Sequence, residues 1–240
     1  MVFSSPEFLF FFLPLLLAAY FLLPKRFRNW VLLLASLFFY AWGEPVYIVL
    51  MLVSVTINYF LAIQIEDHRG TRRSKIAIVS AIAISIGLLG FFKYADFVVA
   101  TINSLLGTSI DDPSLPLPIG ISFYTFQIVS YTVDVYRGDN PAQRSWPTLA
   151  MDISMFPQLI AGPIVRYKTI AAELRDRHHT LAKAADGVGR FTVGLAKKVI
   201  IADTIGRIWQ DTLQSSDPSV LLAWLGLIAF SLQIYFDFSG

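Results

Sequence analysis

The sequence predicts an all-α, polytopic bundle of transmembrane helices with one broken or re-entrant segment. Three observations point there. The composition is 55% hydrophobic and only 15% charged, whereas soluble domains carry about a quarter charged residues. Several uncharged stretches approach or reach the roughly 20 residues that cross a bilayer core. One further apolar stretch, 147–165, is interrupted by Asp152, Pro157, Gly162 and Pro163. That pattern suits a helix broken inside protein, because lipid cannot satisfy freed backbone groups. The mean hydropathy of +0.61 agrees. A net charge of +2 is too small to suggest a nucleic-acid partner. The absence of cysteine excludes disulfides, thiolate catalysis and thiolate metal sites.

The first apolar run, 8–23, reads as a retained helix kinked at Pro14. A cleaved signal peptide would carry its basic residues ahead of the run and a small-residue cleavage site behind it. Here Lys25, Arg26 and Arg28 follow the run instead. Residues 30–42 are short for a span and need help from their flanks or a thinner bilayer. The "GEP" turn at 43–45 then returns the chain as a second, antiparallel helix over 46–65. In 76–92, Ala77, Ala81 and Ser85 recur every four residues, a small face that lets helices approach closely. A long connection over 93–116 carries Asp96, Asp111 and Asp112 against one lysine. Residues 117–133 and 220–236 are the remaining spans.

Residues 188–209 are helix-like but hold Arg190, Lys197, Lys198, Asp203 and Arg207. They fit either a crossing inside a bundle or an amphipathic helix on the membrane surface. Lys and Arg cluster at 25–28, at 69–75 and between Arg166 and Lys198. The positive-inside rule puts those three loops in the cytoplasm and the N-terminus and the aspartate-bearing loop outside. Residues 1–240 then form a single membrane domain, with no segment large enough for a soluble core.

Within "LPIGISFYTFQIVSYTVDVYRG" (117–138), Tyr124, Gln127, Tyr131 and Asp134 fall at i, i+3, i+7 and i+10, on one helical face. A polar stripe along a span must face protein or a water-filled path. Tying neighbouring helices together is as good a reading as lining that path. Gln233 and Asp237 form a similar pair in the last span. Asp134 and Asp237 also sit at span ends, where a carboxylate can reach headgroup water. His68, His178 and His179 lie in arginine-rich loops and read as solvated. No G-x-S-x-G, H-E-x-x-H or phosphate loop occurs. By themselves these residues fit a transporter-like bundle as well as an enzyme.

Four runs resemble one family in its own order: "LPIGISFYTFQIVSYTVDVYRG", "FPQLIAGPIVRY" (156–167), "GLAKKVIIAD" (194–203) and "SLQIYFDFSG" (231–240). The family is the membrane-bound O-acyltransferases, in the branch that acetylates alginate and related exopolysaccharides. The resemblance covers nearly the whole chain and implies an O-acyltransferase whose N-terminal half is present, cut after Gly240 within a longer motif. It implies a catalytic histidine beyond Gly240, so no catalytic residue and no metal site are assigned here. It implies an acyl thioester donor such as acetyl-CoA on the cytoplasmic side of the bacterial inner membrane, with no bound cofactor. The implied partners are membrane lipid, the C-terminal half, periplasmic acetyl-transfer proteins and the polysaccharide. Tyr124, Gln127, Tyr131, Asp134, Gln158, Arg166 and Asp237 become candidate walls of the substrate funnel. A structural kink at the prolines, with Arg166 reaching headgroups, accounts for the second run as well. Lys197 and Lys198 are candidates for donor phosphates or, more simply, for anionic lipid. A transporter-like bundle and a non-catalytic membrane scaffold are the alternatives.

Overall fold

The computed structural model describes residues 2–111, 116–159, 167, 177, 179–215 and 219–240. Asp112, Arg166 and His178 lie outside them. Among the described residues there is no strand, so the all-α reading holds. The chain falls into two compact units, one of residues 13–176 with Met1 and one of 2–12 with 177–240.

The first unit holds α1 (Leu13–Leu22), α2 (Arg28–Gly43), α3 (Tyr47–Asp67), α4 (Arg72–Leu106), α5 (Ile121–Arg137), α6 (Trp146–Ser154) and the single turn α7 (Phe156–Leu159). Its centre is α3, which packs on α4, α5 and α6, while α2 packs on α1, α6 and α7. Met51, Val55, Ala62 and Ile65 of α3 are fully buried, facing a core that includes Ile121 and Ile128 of α5 and Leu149, Met151 and Ile153 of α6. Large apolar side chains also cover the outside, among them Leu15, Leu22, Val46, Val79 and Phe97. Lipid tails are as apolar as leucine, so transfer out of lipid gives such a core little. Close packing and interhelical hydrogen bonds therefore hold it together.

The small face of α4 does that work. Ala77, Ala81 and Ser85 are buried, and Asn58 of α3 donates through Nδ2 to Ser85 Oγ at 3.2 Å. At the other end of the pair, Ser74 Oγ donates to the Ile65 carbonyl at 2.9 Å. Asn58 is the one strongly polar residue in the middle of α3, and its packing against a small face gives it a partner.

Several boundaries differ from the sequence reading, each for a local reason. The irregularity expected at Pro14 takes the form of a π-helical turn, Glu7–Phe12, ahead of α1. The connection read over 93–116 is helical for half its length, because α4 runs 35 residues to Leu106. Lys93 and Asp96 are polar without being helix breakers, and the first stop is Gly107, left-handed at φ 63°. Helix α5 starts only after Pro118 and Gly120, since a residue before proline disfavours the helical region. By length and composition α3, α4 and Val220–Ser239 are long and apolar enough to cross a membrane, and Glu7–Leu22 is a shorter apolar helix.

The second unit holds the π turn Glu7–Phe12, α8 (Leu181–Ala196), a second π-helical segment (Lys197–Ala202), α9 (Asp203–Gln214) and α10 (Val220–Ser239). The stretch 188–209 is thus two α-helices joined through a π segment. No residue of α8 is buried. Helices α9 and α10 pack closely through Gly206, Gly226 and Ala229, with the Trp209 and Phe230 rings 4.9 Å apart.

Candidate functional site

The stripe on α5 points inward. Tyr124, Gln127, Tyr131 and Asp134 are 0, 6, 1 and 4% exposed, and α5 packs on α3, α4 and α6. The spacing placed these groups on one face; the neighbours determine what each one does.

Gln127 donates through Nε2 to the main-chain carbonyl of Asp152 at 3.2 Å. Gln158, from α7, donates through Nε2 to the same oxygen at 2.5 Å. That carbonyl lies in the last turn of α6, where helix termination leaves it one long main-chain bond, from the Met155 amide at 3.4 Å. Two side chains from different elements thus cap the break that Asp152 and Pro157 signalled in the sequence. The Phe156 amide on the far side of the break donates to Ser36 Oγ of α2 at 3.3 Å, and the Phe156 ring packs on Phe39 at 5.4 Å. These contacts of Gln127 and Gln158 tie α5 and α7 to the end of α6. Replacing either with leucine is expected to cost about 1 kcal/mol, the net worth of one hydrogen bond. Replacing both is expected to cost about the sum, because the Met155 amide still donates to that carbonyl at 3.4 Å. A double-mutant cycle on thermal unfolding in detergent measures this.

Tyr131 is the next tie. Its hydroxyl accepts the Gln143 amide at 2.7 Å, and its ring meets Tyr167 edge-on at 5.2 Å. Gln143 Nε2 donates onward to the Tyr167 hydroxyl at 2.6 Å. The loop between α5 and α6 is then fixed to α3, where Arg144 pairs with Glu66 and Asp67 at 2.7 Å each. Hydrogen bonds to Asp67 and then Glu66 raise the already high basicity of the Arg144 guanidinium. Arg69 donates through Nη2 to the Val135 carbonyl at 2.9 Å, at the C-terminal end of α5. There Gly138, at φ 86°, lets the guanidinium lie where a side chain would otherwise project.

Not all of the stripe is paired. The Tyr124 hydroxyl and one Asp134 carboxyl oxygen are buried without a hydrogen-bond partner, as are the Tyr40 hydroxyl of α2, the Ser154 hydroxyl and both carboxyl oxygens of Asp152. Asp152 marked the helix break in the sequence without standing out as a site residue. A carboxylate inside an apolar, proline-flanked stretch was the available signal.

In the second unit, Lys198 Nζ lies 2.9 Å from Asp203 Oδ1 and 2.8 Å from Asp237 Oδ1. Lysine and aspartate five residues apart would diverge on an α-helix, and the wider π turn brings them to one side. Burial lowers the basicity of Lys198, but hydrogen bonds to Asp237 and Asp203 outweigh it, and the net effect is to raise it. Gln233, one turn before Asp237, lies against Gly206 of α9. Lys197 is half-buried and has no ion pair among the described residues. Those residues also contain no cluster of three metal-ligating side chains.

No family model matches the chain, and no solved structure matches it. Curated relatives do. The probable alginate O-acetylase AlgI of Azotobacter vinelandii is 42% identical over 100% of this chain and 49% of its own length. The protein of the same name from Pseudomonas aeruginosa is 41% identical over 100% of this chain and 47% of its own. A peptidoglycan O-acetyltransferase of Helicobacter pylori is 32% identical over the whole chain and 52% of its own length. The chain spans about half the length of the curated relatives it matches. Over its whole length the chain is similar to the bacterial alginate O-acetylases, at 40–42% identity.

Proposed function

We propose that these residues form the front half of a membrane O-acetyltransferase that modifies an exported polysaccharide such as alginate. The observation that carries this reading is the match to alginate O-acetylases over the whole chain. A peptidoglycan O-acetyltransferase matches over the same residues, which supports acetyl transfer to a glycan hydroxyl as the shared chemistry. The donor is a cytoplasmic acyl thioester such as acetyl-CoA. The acceptor is the polysaccharide, or a periplasmic protein that passes the group on. A histidine in the second half removes the acceptor proton as the hydroxyl attacks the thioester carbonyl, the C–S bond breaks, and the histidine returns the proton to the departing thiolate. The protein resides in the inner membrane as a multi-pass bundle with the basic loops in the cytoplasm.

In this reading the first unit supplies a frame. The network from Gln127 and Gln158 through the α6–α7 break, and from Tyr131 through Gln143 to Tyr167, fixes polar groups at depths where lipid offers them no partner. Tyr124, with its unpaired hydroxyl, is the residue of the stripe best suited to face a substrate path.

The test is transfer of labelled acetyl groups from acetyl-CoA to alginate in membranes that carry the gene's complete product. Residues 1–240 expressed alone are expected to give no transfer above background. The complete product is expected to give transfer that is lost when the second-half histidine becomes alanine. Solute flux without acetyl transfer would instead favour a transporter-like bundle, and neither activity would favour a scaffold.

A further inference from the structure

Asp152 is 1% exposed, and both its carboxyl oxygens are buried without a hydrogen-bond donor. The two side-chain amides that reach the residue, from Gln127 and Gln158, donate to its main-chain carbonyl, and the Gln127 amide also lies beside the carboxyl without meeting it at hydrogen-bond geometry. An ionised carboxylate in such a place carries a penalty of several kcal/mol, which a neutral acid largely avoids. A cation would relieve the charge, so the elements packed against α6, namely α2, α3 and α5, decide the matter.

Helix α2 brings Arg28 and Tyr40. Arg28 stands in the first turn, with its guanidinium over the Tyr20 ring at 5.0 Å. The Tyr40 hydroxyl is uncharged and unpaired. Helix α3 brings Tyr47, Tyr59, Glu66 and Asp67. The last two are held by Arg144, and the Tyr59 hydroxyl donates to the Arg144 carbonyl at 2.7 Å. Helix α5 brings Tyr124, Tyr131, Asp134, Tyr136 and Arg137. The Tyr131 hydroxyl is engaged by the Gln143 main-chain amide. Among the described residues no cation touches the Asp152 carboxyl.

We propose that Asp152 is a proton-binding site, a carboxylic acid that keeps its proton at neutral pH inside the α6–α7 break. The neutral acid allows a helix end to be buried next to its own side chain without an ion. It also places one exchangeable proton beside the capped break, on the side where Gln127 of the α5 stripe arrives. This does not rest on acetyl transfer, since a scaffold or a transporter with the same core would hold the same proton.

The experiment is infrared spectroscopy of the intact chain in lipid nanodiscs at neutral pH. The wild type is expected to show a protonated-carboxyl C=O band that moves on H/D exchange and disappears in Asp152→Asn. That substitution keeps shape and neutrality, so the unfolding temperature is expected to stay the same. A spectrum without that band, or a band that Asp152→Asn leaves intact, overturns the proposal. Should the variant not fold, labelling aspartate side chains with ¹³C in an Asp134→Asn chain takes its place, since Asp134 is the other buried aspartate with an unpaired oxygen. A band that shifts with the label supports the site, and none that shifts overturns it.

Discussion

Gly120→Val is expected to prevent the first unit from folding. Gly120 sits in the left-handed region at φ 74°, and a Cβ there would lie 2.7 Å from the Leu159 carbonyl oxygen and 3.6 Å from Leu159 Cγ. A β-branched residue is a genuine outlier in that region, before any contact is counted. The clash is with backbone, so no rotamer of the new side chain relieves it. Either the start of α5 or the turn of α7 must move. Movement of α7 disturbs the Gln158 cap on Asp152 and the Phe39–Phe156 packing. Strain and lost packing together place the cost at about 3 kcal/mol or more, among the rare severe substitutions. Gly120→Ala shares the backbone strain and the Cβ contact but not the branching, and about 2 kcal/mol is expected. Thermal unfolding of detergent-solubilised protein ranks the two. A valine variant with the wild-type unfolding temperature would show that α5 and α7 do not meet as described.

Lys198→Met is expected to destabilise the second unit, and Asp237→Asn is expected to restore part of the loss. Without the ammonium, the Asp203 and Asp237 carboxylates face each other across the α9–α10 contact with no cation between them. All three groups are partly exposed, at 29, 43 and 47%, so solvent screening limits the effect to about 1–2 kcal/mol. The sign with pH follows from the raised basicity of Lys198. A group protonated more strongly in the folded state contributes fully below its unfolded pKa, about 10.4 for lysine. Its contribution is lost as pH rises through the still higher folded value. The tie therefore holds at neutral pH and loosens only in strong alkali, which unfolding temperatures measured across the alkaline range would follow. Lys197→Met removes no ion pair and is expected to leave stability unchanged. A fall in donor use in the Lys197 variant alone would mark Lys197, and not its neighbour, as the phosphate contact.

Much of this protein was legible in its sequence because a bilayer narrows the choices. Backbone groups in lipid must be satisfied within a helix, so uncharged length alone located α1, α3, α5 and α10 to within a few residues. The spacing of Tyr124, Gln127, Tyr131 and Asp134 put them on one buried face, since 3.6 residues per turn leaves no other arrangement. The prolines and Asp152 announced a broken helix. Less legible were the ends, as with α4 continuing through Lys93 and Asp96, because charged residues do not stop a helix that has propensity and no glycine or proline ahead of it.

Partnership was not legible at all. Sequence spacing cannot say that Gln127 and Gln158 meet on one carbonyl, since they lie 31 positions apart on different helices. Nor can it say that Asp237 answers Lys198, because that pairing depends on a π segment turning the lysine toward both aspartates. The sequence by itself determined which segments are helices, which face of each is polar and which family the motifs resemble. Only the tertiary structure decided which polar groups find partners and which, like Asp152, are left without one. The physical reason is that helix formation and burial follow local periodicity, whereas a buried hydrogen bond or ion pair needs two chain-distant atoms within about 3 Å.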